Sequence, residues 1–78
     1  MDTERYVNLN SIERVKNFVN QIINIDSDVD LIYGRYTLDA KSIMAIFSIN
    51  LNNKLKLVLH SDDEDEIIKF NEIAEEFK

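Results

Sequence analysis

Apolar and polar residues change their spacing several times along this chain, and each change marks an element. Tyr6, Val7, Asn8 and Leu9 alternate as a half-buried strand does, and Asn10 and Ser11 then offer side chains that cap a helix. Ile12, Val15, Val19, Ile22 and Ile23 recur at steps of three and four, so the spacing predicts a helix of about three turns with one apolar face. The cluster Asp26-Ser27-Asp28 ends it. Val29, Leu31 and Tyr33 alternate, Gly34-Arg35 is the one glycine-bearing turn, and Tyr36 and Leu38 alternate again, which predicts a hairpin. Ile43, Ile46 and Phe47 make a helical turn or two, and residues 50–53 are a polar loop. Leu55, Leu57 and Leu59 form a strand with one clear core face, and Ile67, Phe70, Ile73, Ala74 and Phe77 predict a closing amphipathic helix. The order is β-α-β-β-α-β-α, an α+β pattern without linker, repeat or low-complexity tract, and residues 1–78 are read as a single domain.

Composition narrows this further. The 78 residues include one Gly and no Pro, Trp or Cys, which leaves no disulfide framework and no cysteine-based zinc site. A chain of this size hides roughly 60% of the surface its unfolded form exposes, so its apolar residues must meet in one two-layer core. No apolar run approaches the ~20 residues of a membrane span, and the start, MDTERYVN, has neither a basic nor an apolar segment of a signal peptide. A cytoplasmic protein without a membrane partner is expected. The net charge of −6 repels phosphate backbones, and no basic stripe offsets it, so no nucleic-acid partner is expected. The run Ser61-Asp62-Asp63-Glu64-Asp65-Glu66 lacks the glycine and ligand spacing of a calcium loop. It is read instead as a helix start, capped by Ser61 or Asp62, with carboxylates favouring the positive end of the dipole. No metal and no cofactor are predicted.

The element order, the segment DSDVDLIY (residues 26–33) and above all KSIMAIF (residues 41–47) resemble HPr, the small phosphocarrier of the bacterial phosphoenolpyruvate-dependent sugar phosphotransferase system. Family members carry a segment like K-S-I-M-G-V-M after their third strand. Here Ala45 replaces the glycine, and Ile46 and Phe47 are conservative changes. The resemblance spans almost the whole chain and implies an open-faced β-sandwich: three helices on one face of a four-stranded antiparallel sheet ordered 1-4-2-3.

The family's chemistry uses a second motif, G-(Ile/Leu)-H-A-R-P, whose histidine caps the first helix and carries a phosphoryl group from enzyme I to sugar-specific acceptors. An ungapped count from DSDVDLIY puts Leu9-Asn10-Ser11-Ile12-Glu13-Arg14 on it, so Ser11 stands at the histidine, Glu13 at the arginine and Arg14 at the proline. A phosphoserine ester is too stable to pass its phosphoryl group on as a phosphohistidine does. A carboxylate in the arginine's place also repels the bound charge. The segment is well explained as a helix start, with Asn10 and Glu13 as a capping box or Ser11 as the cap. No catalytic residue is expected.

His60, the one histidine, is a chemically suitable acceptor, but the implied strand order puts it by the start of the first strand, roughly 20 Å from the first helix at ~3.4 Å per residue. It is read as a lone solvent-facing side chain. No nucleophile–base pair or phosphate-cradling glycine loop points to an enzyme. The resemblance leaves Ser42, since in many Gram-positive members the matching serine is phosphorylated by HPr kinase and the product binds a transcriptional regulator of catabolite control. Ser42 is thus both a helix cap and the candidate regulatory phosphorylation site, with its hydroxyl expected at the exposed helix start beside Lys41. Lys41, Ile43, Met44 and Phe47 are the candidate partner-binding residues. The alternative is a protein-interaction module that uses this docking surface without phosphorylation.

Overall fold

The computed structural model describes residues 2–78. Its elements are β1 (Asp2–Val7), α1 (Ile12–Ile22), β2 (Val29–Tyr33), β3 (Tyr36–Asp39), α2 (Ile43–Phe47), β4 (Leu55–His60) and α3 (Glu64–Glu76), the order expected. The four strands form one antiparallel sheet in the order β1-β4-β2-β3, with the three helices on one face.

The strand between β1 and β2 is β4, and its Leu55, Leu57 and Leu59 are fully buried under the helices. These join Val29 and Leu31 of β2, Val15, Phe18, Val19 and Ile22 of α1, Ile46 of α2, and Phe70, Ile73 and Ala74 of α3 in one apolar cluster. No polar or charged residue among those described is buried. β2 and β3 pair Tyr33 with Tyr36, which leaves Gly34 and Arg35 as a two-residue connection. Gly34 takes φ +58°, the positive value that such a turn needs and that a Cβ penalises.

Three boundaries or faces differ from the sequence expectation. β1 starts at Asp2 and ends at Val7, whereas alternation suggested residues 6–9. Its inward positions Thr3 and Arg5 are polar because this edge strand lies against α3. There the Arg5 guanidinium donates to Asn71 Oδ1 at 3.0 Å and to Glu75 Oε2 at 2.9 Å. Beyond the strand, the Asn8 N–H donates to the Phe77 carbonyl at 2.6 Å, and Leu9 is buried outside any strand. On α1 the buried stripe is Val15, Phe18, Val19 and Ile22, while Ile12 and Ile23 lie on its flank, 61% and 51% exposed. Phe18 takes the place expected of them by packing edge-on to Phe77, with ring centroids 5.6 Å apart. The cap of α3 is Asp63, neither Ser61 nor Asp62. Asp63 Oδ1 accepts from the Asp65 and Glu66 N–H groups at 2.9 and 3.3 Å.

Candidate functional site

Residues 11–14 start α1. Ser11 is extended (φ −147°, ψ 157°), and its Oγ accepts from the Arg14 N–H at 3.1 Å, so Ser11 rather than Asn10 is the cap. Glu13 stands exposed in the first turn. Arg14 turns back on the scaffold: Nε donates to the Asn8 carbonyl at 2.9 Å, and the guanidinium lies 5.3 Å from the Phe77 ring centroid. Its charge is thereby committed to holding β1, α1 and α3 together.

Residues 41–47 come next on the same side of the sheet, where α2 packs against α1. Ser42 caps α2, accepting from the Ala45 N–H at 3.3 Å, and its own N–H donates to the Asp39 carbonyl at 3.0 Å. That inward capping geometry leaves the residue half-buried, not exposed as expected. Lys41, beside it, reaches back to the scaffold. Its ammonium donates to the Ser27 carbonyl at 2.9 Å, on the loop between α1 and β2. Ile43 leans on the core, whereas Met44 is 77% exposed and Phe47 40% exposed. Of the four expected partner-facing side chains, Met44 and Phe47 present apolar surface outward and Lys41 and Ile43 are held against the molecule.

The loop that receives Lys41 belongs to a network that the sequence reading did not include. Glu66, in the first turn of α3, accepts from the Ser27 hydroxyl at 2.5 Å, the Ser61 hydroxyl at 2.7 Å, and the Asp26 and Ser27 N–H groups at 2.9 and 3.2 Å. The Ser27 hydroxyl, then that of Ser61, stabilise the carboxylate and lower its pKa to about 2. In the sequence nothing links Ser27 to Ser61 and Glu66, which lie more than thirty positions away in the acidic run that starts α3.

His60 faces solvent at the end of β4, but it is not lone. It lies opposite Asp2, while Val7 at the other end of β1 lies opposite Leu55, so His60 and the start of α1 occupy opposite ends of the sheet. Its ring nitrogens meet Asp2 Oδ1 at 3.0 Å and Asp30 Oδ2 at 2.7 Å. Two shallow grooves run along α3, one towards β1 past Arg5 and Asn71, the other towards α1 past Gln21 and Lys69; neither includes Ser11, Ser42 or His60. No group of three or more His, Cys, Asp or Glu among the described residues forms a metal site, and no helix there is long and apolar enough to cross a membrane.

This arrangement of strands and helices is the HPr-like fold. The chain aligns with the crystal structure of phosphocarrier protein HPr from Bacillus anthracis str. Ames at a TM-score of 0.75, with 19% sequence identity over 100% of this chain and 96% of that one. HPr-C-His from Thermoanaerobacter tengcongensis gives a TM-score of 0.71 and 21% identity, covering 96% of this chain and 91% of that one. No protein-family model and no curated protein matches the sequence. At these identities the likeness establishes the fold.

Proposed function

We propose that this protein is a cytoplasmic, non-catalytic member of the HPr family of the sugar phosphotransferase system that has lost the carrier role and acts as a regulatory, protein-binding module through α2. The observation that carries this reading is the start of α1. The position that the resemblance aligns with the carrier histidine holds Ser11, whose oxygen is occupied as the helix cap, with the Glu13 carboxylate in the same turn. A phosphoryl group there would form a stable ester and face a like charge. On α2, by contrast, Ser42 sits within a surface that presents Met44 and Phe47. HPr kinase would transfer the γ-phosphoryl group of ATP to Ser42 Oγ, releasing ADP and the hydroxyl proton, and a regulator of catabolite control would read the product.

Two incubations test it. With enzyme I and phosphoenolpyruvate the protein should take up no phosphate, and acid-labile phosphate on His60 would overturn the loss of the carrier role. Ser11→His should restore little transfer, because Glu13 remains. With HPr kinase and ATP the protein should gain one phosphate, which Ser42→Ala abolishes. A second reading, binding through α2 without modification, is favoured by the half-burial of Ser42, whose Oγ is engaged as the helix cap, and by the engagement of Lys41 with Ser27. No phosphate uptake with an active kinase, together with partner binding that Met44→Ala and Phe47→Ala weaken, would select it.

A further inference from the structure

The helix-free face of the sheet carries Asp2, His60 and Asp30 side by side on three neighbouring strands, β1, β4 and β2. One ring nitrogen of His60, Nδ1, is 3.0 Å from Asp2 Oδ1, and the other, Nε2, is 2.7 Å from Asp30 Oδ2. A carboxylate only accepts hydrogen bonds, so both contacts are hydrogen bonds only when both nitrogens carry protons. A neutral ring keeps one N–H and turns a lone pair towards the other carboxylate. The Asp30 contact is the shorter, and the Asp30 side chain is 33% exposed against 52% for Asp2. The neutral ring therefore keeps Nε2–H on Asp30 and loses Asp2.

We propose that Asp2, His60 and Asp30 form a proton-operated clasp, which pins the first residues of edge strand β1 across β4 to β2 while the ring is imidazolium and frees that end of β1 when the proton leaves. This inference is independent of any role for Ser42. Other charged groups lie on the strands and loops around the clasp. Asp39 of β3 is the cross-strand neighbour of Asp30, Glu4 of β1 is tied by Lys56 of β4 at 3.1 Å, Asp28 gives its carbonyl to the His60 N–H, and Asp62 follows β4 closely. The Lys56 ammonium is held by Glu4, and that of Lys41 by the Ser27 carbonyl, next to Asp28. The hydrogen bond to Asp30, then that to Asp2, raise the His60 pKa above 6.5. A raised folded-state value means that the clasp contributes fully below about 6.5 and is lost as pH rises through the folded-state pKa.

With one histidine in the chain, the ring signal in NMR is unambiguous and separates this event from α-amino titration near ~7.7–8.0. A pH titration of the intact protein should show His60 titrating above 6.5, with the neutral form protonated at Nε2. Asp2→Asn and Asp30→Asn should each bring the midpoint down, Asp30→Asn by more. Amide protection over residues 2–4 should fall through the same midpoint, and His60→Gln should remove that step. A His60 midpoint at or below 6.5, a midpoint unmoved in both Asn variants, or protection of residues 2–4 that ignores the His60 titration would each overturn the clasp.

Discussion

Phe18 shows how much one side chain decides. It is fully buried, lies edge-on to Phe77, and shares that ring with the Arg14 guanidinium. Phe18→Ala removes the packing between α1 and the end of α3 and should cost about 3–5 kcal/mol, read as a lower urea midpoint. Ile12→Ala, at a site 61% exposed, should stay within about 0.5 kcal/mol. The sequence pattern could not rank these two residues. Val15, Val19 and Ile22 belong equally to a stripe that includes Ile12 and Ile23 and to one that includes Phe18, and helical periodicity alone accepts both. Phe77, fifty-nine positions from Phe18 in number, selects between them. Gly34 was legible for the opposite reason, since its role is local. Adding a Cβ there meets nothing within 4 Å, so Gly34→Ala should cost only the strain of φ +58°, roughly 1–2 kcal/mol.

At the scale of elements, pattern located the helices and strands, β1 only by its last two residues, but not what ties their ends. The start of α3 reads as capped because carboxylates crowd it, yet Ser61 cannot serve as cap while its hydroxyl donates to Glu66 and its Oγ accepts from the Asp63 N–H. Glu66 thus joins the α1–β2 loop, the β4–α3 loop and α3 through one carboxylate, with Lys41 extending the chain of contacts towards α2. Its folded-state pKa of about 2 lies below the ordinary 4.5. The contribution is therefore present above about pH 4.5 and is lost as pH falls towards 2. Glu66→Gln should lower the thermal midpoint at pH 7 and give a shallower loss of stability than the parent between pH 4.5 and 2, followed by circular dichroism. Parallel acid limbs in the two proteins would mean that Glu66 does not hold these loops.

The candidate site divides the same way. Ser11 and Ser42 were both legible as caps because capping is a local demand, and both Oγ atoms accept from the N–H three residues on. The directions of Lys41 and Ile43, and the engagement of His60 by two aspartates, depend on which segments the fold brings beside them. Met44 and Phe47 point outward because a five-residue helix that buries Ile46 has little room to bury more.

For the molecule as a whole, the pattern predicts four strands and pairs the second with the third through the Gly34 turn, but it is silent on where the first and fourth lie; their places in the order 1-4-2-3 come from the family resemblance. The physical consequence of that order is that β1 has no partner until β4 arrives from more than forty positions away, and that β4, flanked by β1 and β2, backs a core shared by all three helices. One shared core implies one cooperative transition. A domain of 78 residues has roughly 4–12 kcal/mol of net stability at ~0.05–0.15 kcal/mol per residue. Leu57→Ala opens a cavity on the central strand and should cost about 2–5 kcal/mol, a large share of that total. Leu38→Ala, half-buried on edge strand β3, should cost clearly less. In Leu57→Ala, tyrosine fluorescence, which reports on Tyr6, Tyr33 and Tyr36 in the sheet, should fall at the same lowered urea concentration as far-UV circular dichroism, which reports mainly on the helices. Transitions that separate would show that the sheet and the helical layer are not one cooperative unit.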